Sequence, residues 1–379
     1  RNDWASQLAN SSTSSFFYPS VGLSGVISEM IQMPSFIDYM KVRGSFSSVG
    51  MPYPRNLTSP TYEYNEATQS WKPKTHYPIG DLKPERTDSW EVGLDMKLFK
   101  DFNLGLSWYL ANTFNQTFDP QISVSSGYTT IYLQTGYVRN TGLELSLGYG
   151  HTWNNNFRWD SNFTLSHNKN KIKELVRDYV HPETGELINK DRLDVGGLGK
   201  ARFILKEGGT LGDLYTQSDL KRDDNGMVDI DPTGIVAIEN NLPDIKLGSV
   251  FPKANLAWSN HFSWKGISLS ALFTARIGGI VYSATEAAMD QYGVSERSAL
   301  ARDNGGVLVN NRTLVDAQNY YTTIGSESGL PQYYTYNATN VRLQEASIGY
   351  LIPRKWLGNV CDIQVSVICL LYTSDAADE

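Results

Sequence analysis

Long apolar runs are missing from this sequence. No stretch approaches the ~18 consecutive apolar residues that a membrane-spanning helix requires, so a place in a bilayer could be filled only by β-strands. Cysteine is nearly missing too: Cys361 and Cys369 are too few for a disulfide scaffold. Basic charge is not in surplus. With 33 Lys and Arg against 40 Asp and Glu, the net charge of -7 argues against a nucleic-acid partner, which wants clustered cations. The five histidines, at 76, 151, 167, 181 and 261, never fall within one helical turn of each other, which removes a zinc-protease helix. No G-x-S-x-G nucleophile elbow occurs, and "GGLGKA" (Gly196 to Ala201) lacks the spacing of a phosphate loop and its Ser or Thr after Lys200. The chain is read as non-enzymatic, with no cofactor. It opens on "RNDW" without Met or a signal peptide, so it reads as truncated in front.

What the sequence does have is aromatics and alternation. Mean hydropathy is only -0.35, yet 12% of residues are aromatic, with 22 Tyr and 9 Trp. In "SWEVGLDMKLF", Trp90, Val92, Leu94, Met96 and Leu98 share one face, and Glu91, Gly93, Asp95 and Lys97 take the other. "TGLELSLGY" sets Leu143, Leu145, Leu147 and Tyr149 against Glu144, Ser146 and Gly148. "FRWDSNFTLS" and "GISLSALFTARI" repeat the pattern, with Phe163 and Phe273 on apolar faces and Asp160 on a polar one. Each segment has about the ten residues a tilted strand needs to cross a bilayer core.

A soluble sandwich alternates as well, so the connections decide. Short links at Lys100 to Asp101, Trp153 to Asn156, Asn260 to Lys265 and Pro353 to Asn359 alternate with long ones. The long ones are Pro52 to Thr87, Thr117 to Tyr137, Lys169 to Lys200, Lys221 to Leu247 and Gly279 to Thr339. Aromatics ring the short links: Phe99 and Phe102, Trp153 with Phe157 and Trp159, Trp258 with Phe262 and Trp264, and Trp356. Outer-membrane barrels combine short periplasmic turns, long extracellular loops and aromatic girdles in this way. The reading is all-β: a transmembrane antiparallel β-barrel, present in part as an open curved sheet. Roughly thirteen strands are expected, including Arg1 to Gln7 and segments near 15–28, 201–207 and 211–219. The first segment and Asp362 to Val367 should be its edges.

"LKPERTDSWEVGLDMKLF" (Leu82 to Phe99), "YVRNTGLELSLGY", "FPKANLAWSN" (Phe251 to Asn260) and "FTARIGGIVYS" (Phe273 to Ser283) resemble, in order, the SusC/RagA family of TonB-linked outer-membrane transporters. "RNDW", "FFYPSVGLSGVISEM", "YMKVRGSFSSVG" and "NVRLQEASIGYLIPRKW" extend the likeness over nearly all of Arg1 to Ile368. The family's barrel has about 22 strands around a plugged lumen, and this chain resembles roughly the ninth to the twenty-first. The resemblance implies an outer-membrane location in a Gram-negative bacterium and active import of an oligosaccharide or other glycan, or of a peptide. It implies a SusD-like surface lipoprotein as partner, and coupling to the TonB–ExbB–ExbD complex through an N-terminal part and plug that are missing here, as is the last strand. Other readings are a siderophore- or cobalamin-type TonB receptor, and a passive porin or surface adhesin.

Residues 1–368 are therefore read as barrel. The final "CLLYTSDAADE" (Cys369 to Glu379) matches one reading frame of a transposase-type sequencing-library adapter and is expected to be read-through that makes few contacts. For ligand contact the candidates are loop tyrosines, Tyr128, Tyr132, Tyr320, Tyr321, Tyr333 and Tyr334, whose faces suit sugars or peptides. The plainer alternative is that they pack the loops together. Asp223, Asn225, Asp229 and Asp231 surround Gly226 loosely as calcium ligands do, but the terminal bidentate Glu is absent and Asn225-Gly226 also reads as a hairpin turn.

Overall fold

The period-two segments become strands, and the strands become one wall. The computed structural model describes residues 1–5, 15–51, 63–66, 68–72, 76–77, 83–118, 130–131, 133–134, 136–153, 156–180 and 187–370. Ten strands form a single sheet in chain order. They are β1 (Ser20–Val26), β2 (Ile37–Met51), β3 (Glu85–Leu98), β4 (Phe102–Phe114) and β5 (Tyr137–Thr152). Then come β6 (Arg158–Glu174), β7 (Ala254–Trp264), β8 (Ile267–Ile277), β9 (Asn340–Ile352) and β10 (Ile363–Leu370). Every pairing is antiparallel and between chain neighbours, an up-and-down meander.

Register converts the alternation of single strands into rows across the wall. Met96, Leu104, Leu147, Phe163, Trp258 and Phe273 lie side by side, and Leu94, Leu106, Leu145, Leu165 and Leu256 make the next apolar row. Between them runs Asp95, Gly105, Ser146, Thr164, Ala257 and Thr274 on the opposite face. A one-residue slip anywhere would place carboxylates among leucines, so the rows fix the register. Trp90 and Val92 are each 53% exposed, and Phe273, Leu147 and Trp258 are exposed too. An apolar face of this extent needs a cover, and lipid supplies it. From Trp90 to Leu98 the band runs about 26 Å along the strand at about 3.3 Å per residue, enough for a hydrocarbon core.

One end of the wall is bounded by short turns. Lys265 and Gly266 both have positive φ, +47° and +88°, the backbone of a two-residue type I′ hairpin between β7 and β8. Beside these turns the rings of Phe36, Phe99, Phe102, Tyr149, Trp159 and Phe262 touch in sequence, with centroids 4.7–6.5 Å apart. This chain of rings is the girdle expected where amphipathic aromatics settle at a membrane interface.

At the other end the long connections fold. Arg192–Leu198, Ala201–Lys206, Asp213–Thr216 and Ile245–Ser249 form a separate four-stranded sheet between β6 and β7. Between β8 and β9 lie α1 (Ala284–Gln291), α2 (Glu296–Asp303) and α3 (Ala317–Gly325), capped by the side chains of Ser283, Ser295 and Asp316. The two connections share a core: Leu220 and Val236 from the first pack with Ala287, Ile324, Leu330 and Tyr334 from the second. The buried apolar side chains lie in this cap and at the adjoining strand ends, such as Val138 and Ile172. Among the described residues no helix is long and apolar enough to cross a membrane.

Among the described residues the wall thus has ten strands where roughly thirteen are expected from the sequence. Segments 201–207 and 211–219 belong to the loop sheet, where Asp213–Thr216 is buried throughout and offers no face to lipid. Asn2–Trp4 pairs with Ser15–Phe17 in a ribbon outside the wall, so the edge strands are β1 and β10. Beyond Ile368, Cys369 and Leu370 continue the ladder opposite Ala346 and Glu345, contrary to expectation. A strand end needs only backbone groups to extend, so their exposed side chains set no obstacle. Residues 371–379 lie outside the described residues.

Candidate functional site

The polar face of the wall is built around glycines that make room for long side chains. Arg43 of β2 lies across Gly93 of β3: a Cβ there would stand 2.9 Å from Arg43 Cγ and nearer still to its guanidinium. So placed, the guanidinium donates to Ser107 Oγ at 2.5 Å and approaches Glu91 at 3.1 Å and Asp95 at 3.9 Å. Tyr109 of β4 uses Gly142 of β5 likewise, its ring lying against the glycine Cα, beside Glu91. Below these residues the face is hollowed into a trough of about 670 Å³. Its charged lining consists of Arg43, Asp95 and Glu144 on one flank and Arg276 and Arg342 on the other, with Thr164, Ser166 and Asn255 between. This lining presents hydrogen-bonding and charged side chains to the space it encloses.

The cap stands at the same end as the long connections. Tyr334 is fully buried and its hydroxyl donates to Asp290 at 2.9 Å. Asp290 also accepts from Ser295 Oγ at 2.5 Å. Arg297 Nη2 forms an ion pair with Asp290 at 2.5 Å and with Glu286 at 3.4 Å. Burial raises the Tyr334 hydroxyl far above its ordinary range, and pushes that of Tyr333 up to about 12. Tyr320, Tyr321 and Tyr333 are half-buried against the same core. The structure therefore brings four of the candidate tyrosines together as packing of the cap. Tyr128 and Tyr132 lie outside the described residues.

The four calcium candidates are not brought together. Asp223 accepts from the N–H groups of Asn225 and Met227, each at 2.9 Å, and these bonds hold its carboxyl below the usual range. Asp231 does the same one turn later, accepting from Thr233 and Ile235. Asp229 pairs with Lys221 at 2.7 Å. Each carboxylate closes its own turn or pair, and among the described residues no group of three or more potential ligands could hold a metal ion.

Asp244 fastens the loop sheet. Only 6% of its side chain is exposed, and it receives Arg192 at 2.6 and 2.8 Å, Lys206 at 2.9 Å and Gln217 at 3.0 Å. The Arg192 hydrogen bonds, aided by Lys206, outweigh burial and hold its carboxyl far below the usual range. A depressed folded pKa means the stabilisation is complete above the unfolded value, about 3.9, and is lost as pH falls below it. Asp244→Asn is expected to destabilise the cap by about 2–3 kcal/mol, the low end for a buried pair, because Arg192 and Lys206 stay partly in water. Limited proteolysis as a function of pH checks this: the wild-type cap should loosen below about pH 4, and the variant should show a flatter profile. Equal profiles would contradict the assignment.

Sequence reasoning reached Glu91, Asp95, Glu144 and, in "GISLSALFTARI", Arg276 as polar-face residues but missed Arg43 and Arg342. The signal was present, because both share the phase of their strands' polar positions, as in "YMKVRGSF".

Comparisons with known proteins agree with this geometry. A family model described as TonB dependent receptor-like, beta-barrel, matches residues 1–220. TonB-dependent receptor P39 of Formosa agariphila is 28% identical over 211 residues, covering 54% of this chain and 18% of that protein. TonB-dependent receptor P3 of the same organism is 25% identical over 309 residues, covering 75% of this chain and 29% of that protein. The chain thus spans less than a third of the length of these two relatives. The structure of the RagAB peptide transporter aligns with a TM-score of 0.73 over 98% of this chain and 42% of that one, at 19% identity, which shows a common fold. The alternating wall, the girdle, the capped long-loop end and the match over residues 1–220 lead to one assignment: the chain belongs to the TonB dependent receptor-like β-barrel family of outer-membrane proteins.

Proposed function

We propose that the chain is part of the barrel of a TonB-dependent importer of the SusC/RagA type, carrying an oligomeric nutrient, an oligosaccharide or a peptide. Residues 1–368 belong to that barrel, as wall strands and the connections between them, and Cys369 to Glu379 are adapter read-through. The observation that carries the reading is the pairing of an apolar, exposed outer face with a hollowed, hydrogen-bonding inner face under a packed cap. A porin reading leaves the elaborate cap without a role. The likeness to a peptide transporter at TM-score 0.73 supports an oligomeric cargo. In this reading a SusD-like lipoprotein delivers the nutrient at the cap, and the TonB–ExbB–ExbD complex supplies the energy through parts outside this chain. The protein binds and passes its cargo and does not hydrolyse it.

The test is genetic and biochemical. Deleting the complete gene should abolish growth on one oligomeric nutrient while sparing growth on its monomer, and the purified receptor should leave that nutrient intact. A growth defect confined to iron or cobalamin limitation would favour the siderophore- or cobalamin-type reading instead, and hydrolysis by the purified protein would refute the non-enzymatic one.

A further inference from the structure

We propose that the lipid-facing side of β5 and β6 holds the phosphate of an outer-leaflet lipid headgroup, gripped by Arg139, Lys169 and Lys171. The proposal needs only the family assignment. Cargo and plug do not enter it, because this side of the wall turns away from the lumen.

The site follows from the order of residues along two paired strands. Ascending β6, the outward positions include Trp159, Phe163 and Leu165, and then change to Lys169 and Lys171. Across from them on β5 the apolar Leu147 and Leu145 give way to Thr141 and Arg139. Val138 and Ile172 have the opposite phase, face inward and are buried. The rise from Trp159 to Lys169 is about 33 Å along the strand, or about 25 Å along the membrane normal at a tilt of about 40°. That is the height of a lipid-facing apolar band. With the Trp159 girdle at one interface, Lys169 stands at the other, among the headgroups on the long-loop side.

Among the described residues no acid offsets this charge. Arg139 lies directly opposite Lys171, a like-charge cross-strand pair that destabilises a sheet unless an anion stands between. Arg139 spends Nε on Asn112 Oδ1 at 2.9 Å and Nη2 on the Tyr137 hydroxyl, which leaves other N–H groups of its guanidinium unused. Lys169 and Lys171 make no ion pair or hydrogen bond among the described residues. The outward acid of the same row, Asp88, is two strands from Arg139 and already accepts from Arg86 and Ser48. Glu174 stands by Arg177, at 3.9 Å.

Snorkelling into water would suit a single lysine but leaves Arg139 and Lys171 facing each other. A lipid phosphate answers both needs. Its oxygens accept from guanidinium and ammonium groups together, while its acyl chains lie on Leu143, Leu145 and Leu165 beneath. Both strands lie inside the sheet, between β4 and β7, so this face meets lipid wherever the barrel closes.

The experiment uses the purified full-length receptor in detergent micelles, with native mass spectrometry to count retained lipid. The probes are monophosphorylated lipid A, the same glycolipid without phosphate, and inorganic phosphate. One copy of the phosphorylated lipid should stay bound, and the phosphate-free form should bind at least about tenfold more weakly. Inorganic phosphate in large excess should not displace the lipid, because it has no chains to lay on the leucines. Lys169→Gln combined with Lys171→Gln should weaken retention about thirtyfold while the heat-modifiable gel shift is unchanged. Lys169→Arg combined with Lys171→Arg should keep the lipid, as should Lys355→Gln at the short-turn end. Equal retention of the two glycolipids, or no change in the paired Gln variant, would overturn the proposal. Displacement by inorganic phosphate would overturn it in favour of a free-anion site. A paired Arg variant that loses lipid as fully as the paired Gln variant would also overturn it, since the lysines would then serve the fold.

Discussion

Leu94→Arg in the full-length receptor should destabilise the barrel by about 2–4 kcal/mol, whereas the neighbouring Asp95→Asn should leave assembly nearly unchanged. The two residues are adjacent in β3 and differ only in the face they take. Leu94 lies in the row with Leu106 and Leu145, in the middle of the outer apolar band, where a guanidinium has neither water nor a counter-ion. Asp95 faces the trough, where its one ionic contact described is the 3.9 Å approach of Arg43, so an amide of the same shape loses little there. Urea unfolding in lipid vesicles, followed by the heat-modifiable gel shift of folded barrels, measures both. Equal effects of the two substitutions would mean the faces are assigned wrongly.

The second large effect is expected in the cap. Asp290→Ala should cost about 3–5 kcal/mol of local stability, because it leaves Arg297 with Glu286 alone, at 3.4 Å, in place of its buried partner, and Tyr334 without its acceptor in a packed interior. Asp290 is 1% exposed and stands where α1, the N-cap of α2 and the segment after α3 meet. Arg297 also lies 4.9 Å from the centre of the Tyr334 ring, so its displacement disturbs that side chain twice. Limited proteolysis should cut within 279–339 far faster in the variant while the barrel band survives. Asp290→Asn, which keeps an acceptor for Tyr334, should fall between the two. Unchanged protection in Asp290→Ala would show that the cap is held by its apolar core alone.

The wall was legible because its two solvents differ so sharply. Trp90 to Leu98 alternates without a fault, and lipid on one side and a polar lumen on the other leave no other pattern stable. The same logic gave the short turns and the girdle from Phe99 to Trp159. It failed at Ala201–Lys206, where Ile204 and Leu205 are both buried. A strand packed inside a water-exposed cap and a lipid-facing strand share composition and length, and only the burial of consecutive residues separates them. The helices of the β8–β9 connection were overlooked because they are short and weakly amphipathic, and tertiary packing stabilises them more than propensity does. Their caps were nevertheless written in the chain: Ser283 precedes Glu286 by three, and its hydroxyl accepts from the Glu286 N–H at 3.3 Å. The tyrosines from 320 to 334 could not be sorted from sequence, since packing and ligand stacking favour the same side chain. The trough was less legible still, because cross-strand neighbours such as Glu144 and Ser166 meet only through register.

The central claim is that β3 separates lipid from lumen residue by residue. Spin labels placed singly at positions 90 to 98 of the full-length receptor in vesicles, read against oxygen and a water-soluble nickel chelate, measure this directly. Positions 90, 92, 94, 96 and 98 should favour oxygen, positions 91, 93, 95 and 97 should favour the chelate or show burial against neighbouring side chains, and the alternation should be unbroken. Nine positions with one uniform accessibility, or an alternation in the opposite phase, would contradict the account.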